Sequence, residues 1–99
     1  MTDNTQTTDL EDEFASVRVM VRGEHGLHAR PAGKLAQKAQ SFQAEIFIHT
    51  KGSQADAKSI LDVLTLAAAP GDTLEIRARG EDADQALDSL RTLFEKDLD

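Results

Sequence analysis

The apolar residues of this 99-residue chain alternate between two spacings, and this feature restricts the fold more than any other. Where they recur at every second position, the chain is expected to form a strand with one buried face. Where they recur at every third or fourth position, it is expected to form a helix with one apolar stripe. Because both patterns recur in turn, the sequence predicts strands and helices that share one core.

Four segments have the strand pattern and three have the helix pattern. The strands are predicted at 16–22, 45–49, about 54–57 and 73–79, and the helices at 30–41, about 59–67 and 82–95. The order is therefore β-α-β-β-α-β-α. The simplest arrangement is an α+β, two-layer open-faced sandwich, with the helices on one face of a mostly antiparallel sheet and water on the other.

The net charge of −7 is unevenly distributed. Residues 1–13 contain five acidic residues and no Lys or Arg, whereas the rest of the chain has 13 acidic and 11 basic residues. The sequence predicts a disordered acidic leader over 1–13, with a partner-binding role as the alternative, and one folded domain over 14–99. Since acidic residues outnumber basic ones in both parts, the basic footprint of a nucleic-acid-binding protein is missing, and we expect no nucleic-acid partner.

Length and composition also restrict the function. A domain this short has little depth for an enclosed substrate cavity, which favours a module that works through partners over a stand-alone enzyme. The chain has no Cys, its apolar runs are too short to cross a bilayer, and its acidic start is unlike a signal peptide. We therefore expect a cytoplasmic protein without a membrane partner. No nucleotide-binding glycine loop is present, so no cofactor is expected.

The histidines do not predict a metal site. His25 and His28 are three residues apart, His49 is distant, and no further ligands are expected to converge on them. The simplest interpretation of His25 and His49 is that they are surface residues.

His28 precedes the first long helix directly. The first N–H groups of a helix lack internal partners and favour an anion such as phosphate. Pro31 is compatible with the first helical turn, and Gly26 allows the dihedral angles needed to bring His28 over the helix end. A ring nitrogen of His28 is a nucleophile, and Arg30 would stabilise a phosphoryl group on it. The alternative is a half-exposed histidine that caps the helix.

Three segments resemble the HPr family, the histidine-containing phosphocarriers of the bacterial phosphotransferase system. Gly26–Ala32 (GLHARPA) resembles the family's phosphorylation-site signature, Ala57–Leu61 (AKSIL) its regulatory serine segment, and Gly80–Asp82 the opening of its last helix. The resemblance covers about 15–97. It implies a four-stranded antiparallel sheet with three helices on one face.

The resemblance also implies roles and partners. His28 would carry the phosphoryl group on Nδ1, and Arg30 would contact it. Enzyme I would be the donor, with phosphoenolpyruvate as the ultimate source, and permease A domains would be the acceptors. The chain is expected to act as a monomer. A nitrogen-branch carrier and a non-transferring adaptor remain alternatives; Lys58–Leu61 favours the sugar branch, and His28 with Arg30 argues against an adaptor.

The second helix offers a regulatory site and a docking surface. Ser59 is a favoured N-cap, and the resemblance adds phosphorylation by an HPr kinase/phosphorylase, with a transcriptional regulator as a further partner. Asp62 stands where the family often has a base. Because so short a helix cannot bury all its apolar residues, we expect an exposed patch beside His28. The predicted docking residues are Leu27, Ala29, Ile60 and Leu61.

One basic stripe is predicted on the first helix. Arg30, Lys34 and Lys38 recur at four-residue spacing, which places them on one face. The stripe would either steer an acidic partner towards the protein or form an ordinary solvated face.

Overall fold

The computed structural model describes residues 13–96 and residue 98, and it has the predicted order of elements. The strands are β1 (Ala15–Met20), β2 (Glu45–Thr50), β3 (Ser53–Asp56) and β4 (Thr73–Arg79), and the helices are α1 (Ala29–Gln40), α2 (Ile60–Thr65) and α3 (Ala83–Lys96). Apart from Glu13, the acidic leader expected over 1–13 lies outside the described residues.

The four strands form one antiparallel sheet in the order β1-β4-β2-β3. Val17 of β1 and Ile48 of β2 both pair with Ile76 of the central strand β4. Residues paired across strands share a face of the sheet, so these three side chains point the same way. The helices cover that face, with α3 against β1 and β4, and α1 against α2 and α3. The predicted fold class is confirmed.

The core lies between the sheet and the helices. Its largest fully buried side chains are Leu35, Ile46, Ile48, Leu74, Ile76, Leu90, Val63 and Pro31. On the open face, the Phe14 ring meets the Phe47 ring edge to face, with centroids 6.0 Å apart. The Arg79 guanidinium lies 4.6 Å from the Phe14 ring centre and also pairs with Glu45. The open face is therefore polar around a small aromatic patch.

Two elements end two residues earlier than predicted. β1 ends at Met20 because Val21 exchanges hydrogen bonds with the turn that precedes β4. Its N–H donates to the Asp72 carbonyl, and its carbonyl accepts from the Gly71 N–H, both at 2.8 Å. Helix α2 ends at Thr65, and Ala67 has a φ of 50°, which a right-handed helix cannot continue through. No helix in the described part of the chain is long and apolar enough to cross a bilayer.

Candidate functional site

The loop that carries His28 connects β1 to α1 and is held against the segment before β4. Gly26 has a φ of 69°, a conformation that glycine adopts readily. A Cβ on Gly26 would lie 2.2 Å from the carbonyl oxygen of Ala68, and the N–H of Leu27 donates to that same oxygen at 3.0 Å. The predicted need for glycine is confirmed, and close packing is a second reason for it.

Asp72 anchors the segment on which this loop rests. Its carboxylate accepts a hydrogen bond from the Ala69 N–H and pairs with the Lys51 ammonium, each at 2.8 Å. The hydrogen bond from Lys51, followed by that from Ala69, holds the pKa of the Asp72 carboxyl below its usual range. The turn against which the His28 loop packs is therefore held by two polar contacts of the Asp72 carboxylate.

His28 is the N-cap residue of α1, with an extended backbone and an exposed side chain. Its carbonyl accepts from the Ala32 N–H at 3.0 Å, but within residues 13–96 and 98 its ring makes no cap hydrogen bond. His28 therefore occupies the N-cap position, but its ring does not cap the helix. Pro31 has no N–H, so the N–H groups without helical partners in the first turn belong to Ala29 and Arg30.

His28 and Arg30 line one open cleft of about 610 Å³. The residues around it are Gly23, Glu24, His25, Gly26, His28 and Arg30. The ring of His25 meets that of His28 edge to face, with centroids 5.6 Å apart and an interplanar angle of 88°. Besides the exposed carboxylate of Glu24, the cleft thus combines a nucleophilic ring, a guanidinium and a second imidazole, and these three groups are suited to an anion such as a phosphoryl group.

Comparisons with known proteins identify the family of this chain. The family model described as "PTS HPr component phosphorylation site" matches residues 15–96. The chain belongs to the HPr family. It is 42% identical over 77 residues to phosphocarrier protein HPr of Xylella fastidiosa, covering 78% of this chain and 86% of that one. It is an HPr-family phosphocarrier of the phosphotransferase system, not a stand-alone catalyst.

Solved HPr structures have the same fold. The phosphocarrier protein HPr of Bacillus anthracis superposes with a TM-score of 0.79 at 37% identity, covering 84% of this chain and 99% of that chain. Crh of Bacillus subtilis, described as a domain-swapped dimer, superposes with a TM-score of 0.68 at 35% identity, covering 81% and 92%. The likeness therefore extends over nearly all of each HPr-type chain.

Three of the four docking residues predicted for this HPr-family chain are exposed. Leu61 is 72% and Ile60 39% exposed, and Ala29 is exposed at the start of α1. The Cδ1 atom of Ile60 lies 3.4 Å from where a Cβ on Gly33 of α1 would be, so α2 sits close against α1. The expectation for Leu27 is wrong: it is 4% exposed, because the loop folds back and buries it in the core.

Ser59, the predicted regulatory residue of the HPr resemblance, caps α2 as expected. Its Oγ accepts from the Asp62 N–H at 3.2 Å, and the Asp62 carboxylate accepts from the Asp56 N–H at 3.0 Å. The preceding Lys58 reaches the Phe42 carbonyl with its ammonium at 2.7 Å. The side chains around Ser59 therefore tie α2 both to β3 and to the segment after α1.

Among the described residues, no three His, Cys, Asp or Glu side chains gather closely enough to hold an ion. Of the two histidines interpreted from the sequence as surface residues, His25 is the one that shares the cleft with His28. Its three-residue spacing from His28 was the only sequence signal for that contact.

Proposed function

We propose that this phosphocarrier accepts a phosphoryl group from enzyme I on His28, with phosphoenolpyruvate as the ultimate source, and passes it to permease A domains. The observation that carries the proposal is the exposed His28 ring, which lies beside Arg30 in an open cleft. A relay requires a nucleophile that two different partners can reach, and an exposed ring at a loop end meets that requirement.

The geometry supports a simple transfer step. A ring nitrogen of His28, Nδ1 by resemblance, attacks phosphorus, and the bond from phosphorus to the donor breaks as the new N–P bond forms. The N–H groups of Ala29 and Arg30 and the Arg30 guanidinium would stabilise the added negative charge. In the second transfer, a nucleophile of the acceptor attacks the same phosphorus, and His28 is released.

Exposed apolar residues on α2 and at the start of α1 are suited to docking. Ile60 and Leu61 expose apolar surface on α2, and Ala29 is exposed next to His28. Partners would contact this apolar surface while Arg30 and the basic stripe of α1 attract acidic groups. We also propose that the carrier acts as a monomer, with β1 paired to β4 of the same chain.

The decisive experiment is phosphotransfer to the purified full chain. Labelled phosphoenolpyruvate and enzyme I are expected to give an acid-labile, base-stable label on the wild type. His28→Ala should reduce it to background because the acceptor nitrogen is gone. His49→Ala, on the open face of the sheet, should be labelled like the wild type. Unchanged labelling of His28→Ala would overturn the proposal.

The sugar branch is the branch that we favour for this carrier. The Lys58–Leu61 segment, which resembles the regulatory serine segment, supports it. The two branches can be separated by mixing the labelled carrier with A domains of each branch. Faster loss of label to a nitrogen-branch domain would favour that alternative. A wild type that binds these partners but takes up no label would instead be an adaptor.

We further propose that Ser59 is a regulatory phosphorylation site for an HPr kinase/phosphorylase, with a transcriptional regulator as a partner of that form. Ser59 adjoins the exposed Ile60 and Leu61, so a phosphate there would change the charge of the docking surface. Kinase-treated wild type should stain on a phosphate-specific gel, and Ser59→Ala should not. Equal staining of the two would exclude Ser59 as the modified residue.

A further inference from the structure

His25 is an imidazole of the cleft that the proposed transfer does not use. It lies three residues before His28, and the two rings are in edge-to-face contact with centroids 5.6 Å apart. Both rings line the same open cleft as Arg30. A group bonded to the ring of His28 therefore enters a space that His25 also borders.

The titratable and charged groups around His25 come from two elements. Glu24 and His28 belong to its own loop, and Arg30 belongs to α1; in the part of the chain that the structure describes, the segment beneath the loop, 67–69, contributes only alanines. The Glu24 carboxylate lies 3.9 Å from Nε2 of His25, and the two side chains are 93% and 75% exposed. So exposed a pair is weak, and His25 can turn towards a stronger anion.

We propose that His25 is a second phosphate-binding side chain, which donates a ring N–H to the phosphoryl group carried on His28. This inference rests on the proposed function of His28. Charge-assisted N–H···O hydrogen bonds span about 2.7–2.9 Å, so with the rings in contact, phosphoryl oxygens on a nitrogen of His28 come within reach of His25. Arg30 would hold the group from the helix, and His25 from the loop.

The consequence is a carrier whose phosphorylation depends on pH. A histidine side chain gains its positive charge between about pH 8 and pH 5, and a charged donor binds a phosphoryl group more strongly than a neutral one. Coupling between two binding events is reciprocal, so phosphorylation of His28 and protonation of His25 favour each other. The contribution of His25 to transfer, measured against a variant without this ring, therefore grows as the pH falls.

The test is the equilibrium of phosphoryl transfer from phosphoenolpyruvate through enzyme I, measured from pH 6 to pH 8.5. The transfer constant of the wild type should exceed that of His25→Gln by about two- to fivefold at pH 6, the size expected of an exposed charge pair, and by little at pH 8.5. His25→Lys, which stays charged, should keep the advantage over the whole range. Donor effects cancel because every variant uses the same enzyme I.

His49→Gln is the matched control, since it removes a histidine from the open face of the sheet and should behave like the wild type. A proton NMR titration gives a second readout: phosphorylation of His28 should move the titration of the His25 ring to higher pH. If both chains are labelled at His28 but the ratio of their transfer constants, wild type to His25→Gln, does not change with pH, this inference alone is overturned. A wild type without label at His28 would overturn the proposed function and this inference with it.

Discussion

The two helices nearest the proposed site begin in the same way but use their first side chain differently. His28 precedes α1 and Ser59 precedes α2, and both have an extended backbone, with φ of −82° and −110°. The Ser59 hydroxyl accepts a hydrogen bond from the N–H of Asp62. Within the described residues, the His28 ring makes no such bond with α1. The Ser59 side chain thus stabilises its helix, whereas the His28 ring is not used by its helix and can react.

This difference separates stability from function over a short distance. A phosphoryl group on His28 would displace no hydrogen bond of α1. A phosphate on Ser59 would instead join a hydroxyl that already caps α2, with the carboxylate of Asp62 one turn away. Modification of Ser59 is therefore expected to alter the local structure, whereas modification of His28 should leave the fold as it is.

The largest effect on the His28 region is expected from Gly26→Ala. The new Cβ would lie 2.2 Å from the Ala68 carbonyl oxygen, at a φ of 69° that alanine rarely adopts. We expect the free energy of unfolding to fall by about 2–4 kcal/mol, which urea denaturation measures. Labelling of His28 should fall as well, because the loop must move away from Ala68.

Gly52→Ala is the matched control for that substitution. Gly52 has a φ of 78°, but a Cβ there would meet no atom of the described residues within 4 Å. Gly52→Ala should lower the free energy of unfolding by about 1 kcal/mol and leave the labelling of His28 complete. If Gly26→Ala were as mild as Gly52→Ala, the contact with Ala68 would not be what holds the loop.

Much of the fold follows from local pattern. The alternation of apolar and polar residues over 73–79 predicts β4 with its observed ends. A half-buried strand carries this alternation along its own length, so the pattern begins and ends with the strand. GLHARPA indicates His28 and Arg30 for a similar reason: the site is assembled from one loop and the helix turn that follows it. Short-range sequence information is enough where the geometry is also short-range.

Contacts between distant segments could not be predicted in this way. The sequence places Asp82 at the start of the last helix, where the dipole favours it, yet its carboxylate accepts from the N–H groups of Gln43 and Ala44 at 2.9 and 2.8 Å. These hydrogen bonds, led by that from Gln43, hold the pKa of Asp82 below its usual range. Likewise, the burial of Leu27 depends on Ala68, about forty residues away, and no local pattern reports that.

A smaller effect compares the two helix starts directly. Ser59→Ala removes the hydroxyl that accepts from Asp62, and the loss of such an N-cap costs about 1 kcal/mol. His28→Ala removes an exposed ring and should change the free energy of unfolding by less than about 0.5 kcal/mol. Urea denaturation of both variants, each also tested for labelling from phosphoenolpyruvate, measures the contrast: Ser59→Ala should lose stability and keep its label, and His28→Ala the reverse.

Ser59→Thr shows whether the hydroxyl itself is responsible. Threonine can also accept from the Asp62 N–H, so this variant should recover most of the stability that Ser59→Ala loses. If Ser59→Thr were as unstable as Ser59→Ala, packing around α2 would explain the loss better than capping. If His28→Ala lost as much stability as Ser59→Ala, the ring of His28 would be part of the α1 start, and the separation of stability from phosphoryl transfer would fail. Comparing the two helix starts therefore tests whether the same backbone arrangement can serve stability or phosphoryl transfer. The outcome depends on whether the N-cap side chain is hydrogen-bonded to its helix or left exposed.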